Sequence, residues 1–189
     1  AGPRDRVREE RQVAGVVRSC LGMAYGMLSF QPAAHVGNPS RWRERYDAVT
    51  IDAVWREIER GVGTRLPWRH LQMGDERCNR AAYGVLTGQR WIPLLDDRDP
   101  RDLAARDVFL DTFGPMDFDR GAWPVLAAFL RVFARHPRVA PTALSWAARF
   151  ARRLGGGALR TGRMRGMTFV VHAFMDADVV QAAWRTMEE

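Results

Sequence analysis

The chain has 189 residues, 47% of them hydrophobic, with a net charge of +7 and a pI of about 10.7. That is enough apolar material for one domain with a real core, and it excludes a disordered chain. All 29 basic residues are arginine, a pattern that fits the codon bias of a GC-rich genome and weighs against a selected nucleic-acid surface. Two cysteines, Cys20 and Cys78, exclude a disulfide framework and point to reduced thiols in a cytoplasmic protein. No apolar run approaches the ~20 residues needed to span a bilayer. The N-terminus, AGPRDRVREE, lacks the apolar core of a signal peptide and has no initiator Met. The C-terminus stops at Glu189 while a helical pattern is still running, so both ends read as cut.

Val13, Val16, Val17, Cys20 and Leu21 recur at helical spacing, with Gly22 as the stop. Cys20 falls on the apolar face of that helix and reads as a small buried hydrophobe. Tyr25 to Pro32 reads as a strand ended by proline. Gln31 and His35 fall at or just beyond its C-terminal end, where open sheets and barrels place ligands. Gly37 to Arg45 is a loop. Thr50 is a good N-cap for a helix carrying Ile51, Val54, Trp55 and Ile58, which Gly61 and Gly63 end. Tyr83 to Leu86 and Arg90 to Leu95 read as a β-hairpin across Thr87, Gly88 and Gln89, with Pro93 marking an edge strand.

Asp99 and Pro100 open the next helix, with Leu103, Leu110 and Phe113 expected inward and Asp102, Arg106 and Asp107 outward. Gly114 and Pro115 break it. A long helix is expected from Asp119 to Arg135, and another from Thr142 to Leu154, capped by Gly155, Gly156 and Gly157. Met167 to Met175 is a nearly continuous apolar run that reads as a buried strand, with His172 inside it as a core histidine. Asp176 caps a last helix. The order of elements gives an α/β, mixed α+β, chain.

The chemistry-bearing residues concentrate in the loop from His70 to Cys78. His70, Asp75 and Cys78 could ligate iron or zinc, and a Cys–His nucleophilic pair is the other option. A single cysteine there is too few for a self-contained cluster. Arg149, Arg152, Arg153, Arg160, Arg163 and Arg165, with the triple glycine, form the densest basic segment, and the first four of them are a candidate anion site. A solvated arginine-rich face is the plainer account of it. No HExxH, GxSxG, P-loop or GxGxxG motif occurs.

Four stretches, taken together and in order, carry a resemblance. They are MLSFQPAAHVGN (Met27 to Asn38), YDAVTIDAVWREIE (Tyr46 to Glu59), LPWRHLQMGDERCNRAAYGVLTGQRWIPLL (Leu66 to Leu95) and MTFVVHAFMDADVV (Met167 to Val180). The series resembles the region after the cluster-binding motif in radical S-adenosylmethionine (SAM) iron–sulfur proteins of the tetraether-lipid-synthase type. In that family an N-terminal CxxxCxxC holds a [4Fe–4S] cluster that cleaves SAM to a carbon-abstracting radical. The motif is absent here. The resemblance therefore implies the last α/β units of a partial barrel in residues 1–62, and a C-terminal accessory region with a hairpin and helices in residues 63–189. It puts Phe30, Gln31 and Pro32 at the barrel mouth, and the His70 to Cys78 loop where relatives carry cysteines for an auxiliary cluster. Cluster and SAM would be held mainly by residues outside this chain. Its partner would be the remainder of the enzyme or another chain, and its substrate anionic or lipid-like. The chain alone is then non-catalytic. Two alternatives stand beside this reading: an Arg-rich module for an anionic partner such as nucleic acid, and a small metal-dependent enzyme using His70, Asp75 and Cys78.

Overall fold

The computed structural model describes residues 3–32, 49–71, 79–113, 131, 133–161 and 164–172. In chain order they form α1 (Pro3–Leu21), β1 (Met27–Phe30), α2 (Ile51–Val62), β2 (Asn79–Thr87), β3 (Arg90–Pro93), α3 (Pro100–Phe113), a 3-10 turn (Pro137–Val139), α4 (Ala140–Thr161) and β4 (Arg165–His172). The expected helix over 119–135 lies outside the described residues except for 131 and 133–135, which are helical. The last helix, from Asp176, lies wholly outside them.

The strands make one mixed sheet in the order β1-β4-β2-β3. β4 runs parallel to β1, with Phe30 opposite Val171, and antiparallel to β2, with Asn79 opposite His172. The β2–β3 hairpin turns at Gly88, whose φ of 62° suits a residue without a Cβ. The sheet thus draws β1 from residues 1–62 and its other strands from residues 63–189.

Strand alternation gives the sheet two faces. One face presents Leu28, Phe30, Ala82, Leu86, Trp91, Met167, Phe169 and Val171, and α1 and α2 cover it with Val17, Leu21, Val54, Trp55 and Ile58. Phe169 and Ile58 are fully buried, each worth about 1.5–3 kcal/mol of apolar transfer. On the other face α4 packs Leu154, Ala158 and Phe150 against Val85 and Ile92.

The seam of α1 is Ala14, Val17 and Leu21, whereas Val16 is exposed and Cys20 only half-buried, unlike the broader stripe expected. The cause is the close crossing with α2. A Cβ on Gly61 would stand 2.7 Å from Val17 Cβ, so contact runs along one narrow line. Gly61 is therefore a packing residue inside α2, and Gly63, at φ 78°, is the residue that ends it. Thr50 caps the start of α2, its Oγ1 accepting from Ala53 N at 3.2 Å. Thr50→Ala is expected to lower stability by about 1 kcal/mol in a urea titration.

Asp102 corrects the reading of α3. It was expected on the solvent side and is fully buried, while Leu110, expected inward, is 43% exposed. Asp102 Oδ1 accepts from Arg149 Nε and Nη2 at 2.9 and 2.7 Å. Its Oδ2 accepts from Asp96 N at 2.9 Å and from Arg153. One carboxylate thus ties α3, α4 and the chain leaving β3. At the start of α3, hydrogen bonding from Arg101 holds the Asp99 carboxyl below its ordinary range, with further help from the charge of Arg149. α4 breaks at Gly155, where φ 78° and ψ 157° are not helical, but helix resumes and runs to Thr161, so the glycine triplet kinks the helix and does not end it at Leu154 as expected.

Candidate functional site

The parallel strands β1 and β4 end side by side, and β2 begins next to them. That end of the sheet gathers polar side chains on both faces. On the face away from α1 and α2, Asn79 and His172 stand opposite each other, and Gln31 follows the last paired residue of β1. Gln31 is exposed and His172 half-buried. Asn79 Oδ1 is buried and accepts no hydrogen bond from the described residues. Further along this face Tyr83 has its phenol pushed above its ordinary pKa by burial.

On the helix-covered face the end of the sheet is Arg80. Its guanidinium stacks on Trp68, 3.7 Å from the ring centroid, with Trp55 at 5.7 Å. The two indoles meet edge to face at 6.5 Å. Arg80 Nη1 donates to Asp52 Oδ1 at 2.7 Å, in the first turn of α2. Arg80 is 8% exposed, and its Nε and Trp55 Nε1 are both buried with no acceptor among the described residues. A second carboxylate fixes this arrangement: Asp97 Oδ2 accepts from Trp68 N and Arg69 N at 3.1 Å each, and Oδ1 accepts from Arg65. The turn so pinned lays Trp68 over Arg80 and leads into His70, whose φ of 60° is costly for a residue with a Cβ.

Of the expected site residues, Gln31 lies at this sheet end, and exposed His70 belongs to the turn beside it. His35, Asp75 and Cys78 lie outside the described residues. Among the described residues no three His, Cys, Asp or Glu side chains stand close enough to hold a metal ion. Cys20 is a free thiol on α1. Two cysteines do not make the donor set of a [4Fe–4S] cluster, so the residues of this chain alone do not fit that group.

The basic segment divides. Arg149 is buried against Asp102, and Arg153 donates to Asp102 and to Leu94 O, so both guanidinia face internal acceptors. Arg152 is exposed on α4; of Arg160 only the helical backbone is described. Arg165, at the start of β4, donates to Leu21 O at 2.7 Å and satisfies a carbonyl at the end of α1.

Asn79 stood among the polar residues that crowd this stretch of the sequence, whereas Arg80 was not singled out. The usable signal was Arg80 itself, a charged residue followed by Ala81 and Ala82 at the start of a strand. No protein-family model and no curated protein matches the chain. No helix among the described residues is long and apolar enough to cross a membrane.

Proposed function

We propose that this chain is a non-catalytic C-terminal portion of a radical SAM enzyme, forming one wall of a partial barrel and positioning substrate or an auxiliary cofactor. The observation that carries the reading is the parallel β1–β4 pair, with α1 and α2 on one face and Gln31, Asn79 and His172 at its C-terminal end, while α4 lies over the antiparallel β2–β3 hairpin on the other face. A (β/α) barrel keeps its helices outside and its polar site at the C-terminal ends of its strands. β1 is also an edge strand among the described residues, next to exposed Tyr25 and Met27. A preceding barrel strand would cover that edge, which otherwise is a liability. The four quoted stretches supply the family, and the substrate class stays with them as anionic or lipid-like.

The coding sequence upstream of Ala1 tests this directly. An in-frame CxxxCxxC within one barrel's length is the expected finding. A start codon immediately before Ala1, with a purified chain that recruits no iron–sulfur protein in anaerobic co-purification, would overturn it.

A further inference from the structure

Two hydrogen-bond donors in one cluster are buried with no acceptor among the described residues. Arg80 Nε and Trp55 Nε1 lie in one cluster, on the helix-covered face, below the first turn of α2. Buried donors are almost always satisfied, so a pair of orphans at one spot asks for an acceptor. The guanidinium is already held in position. Trp68 covers its face, Asp97 anchors Trp68, and Asp52 takes only Nη1. That leaves the Nε edge, the side on which an arginine grips a carboxylate or phosphate with two parallel bonds. Asp52 is 67% exposed, so water screens its hold on Arg80 and much of the cation's field is left unspent.

We infer that the Nε edge of Arg80, together with the indole N–H of Trp55, binds one oxyanion group, a carboxylate or a phosphate, at the N-terminus of α2. The site is distinct from the arginines of α4, and it does not rest on the radical SAM reading. Its parts come from α2, β2 and the turn at Trp68, all within this chain.

The test is a titration of the nitrogen-15-labelled full chain with sodium phosphate and, separately, sodium acetate, against sodium chloride at matched ionic strength. The Trp55 indole N–H and the Arg80 Nε–H signals are expected to move together and saturate with at least one of the two oxyanions. The arm that saturates names the group. Arg80→Lys keeps the charge but loses the Nε edge, and should weaken binding at least about tenfold, equivalent to 1.4 kcal/mol. Asp52→Asn, at an exposed position, should tighten it severalfold by removing a neighbouring negative charge. The inference fails if neither oxyanion gives a saturable shift in the wild-type chain, as a lone buried water would predict. It fails equally if chloride gives the same response or Asp52→Asn leaves the affinity unchanged.

Discussion

Asp102→Ala should be among the most damaging single substitutions in the described part of the chain. Removing one partner of a buried ion pair strands the other, at a cost of about 3–5 kcal/mol. Here the stranded group is Arg149, 7% exposed, left with Ser145 Oγ at 2.7 Å, Arg101 O at 3.1 Å and the more distant Asp99 carboxylate at 3.8 Å. Asp96 N also loses its acceptor. For a domain of this size that loss corresponds to a fall in melting temperature of about 6–20 °C in calorimetry. Arg152→Ala, three residues along the same helix and exposed, should change stability by no more than about 0.5 kcal/mol. The double variant Asp102→Leu/Arg149→Met should lose less than Asp102→Ala alone, because no buried charge is left without its counter-ion. A double variant as unstable as the single one would show that packing, and not charge, sets the cost.

Gly84→Ala is the second. A Cβ there would stand 2.2 Å from Trp91 Cε2 and 2.4 Å from Cζ2, well inside contact distance. The indole cannot simply swing away. Its Nε1 donates to Met167 O at 2.8 Å, and its ring meets Phe169 edge to face at 5.9 Å. Overpacking of a core costs about 1–3 kcal/mol, and losing the indole hydrogen bond adds about 1 kcal/mol. A total of about 3 kcal/mol is expected by denaturant unfolding. Trp91 fluorescence should shift to the red as the ring is displaced. The double variant Gly84→Ala/Trp91→Leu, with the ring gone, should recover part of the loss; if it recovers none, the clash is not the cause.

The secondary structure was legible where local chemistry decides it. Thr50 and Gly63 bracket α2, Gly88 turns the hairpin, and the apolar run at Met167 makes β4, because caps, positive φ and burial all act through neighbours in sequence. The rest depended on partners far along the chain. β2 begins at Asn79, four residues before the expected Tyr83, although Asn, Arg and Ala are poor strand formers. Pairing with β4 up to His172 holds those residues extended. Asp102 looked like a surface acid because its counter-ion, Arg149, is 47 positions away. The same distance hid the site. The place of Gln31 was legible because it follows a recognisable strand, but the surroundings of Arg80 came only when Trp55 and Trp68 closed on it.

The position of β4 has a consequence for how the chain reaches this structure. The last described strand lies between β1 and β2, so the first strand has no partner until Arg165 and the residues after it exist. Tyr25 and Arg165, which touch in the finished fold, are 140 positions apart. At about 5–20 residues per second, synthesis leaves β1 waiting roughly 7–28 s. The hairpin can close early, since its contacts are local, whereas the parallel pair must pay its loop-closure entropy at the end. Premature termination anywhere before β4 therefore costs more than the missing residues. It releases a chain with helices formed, a hairpin formed and no sheet to join them.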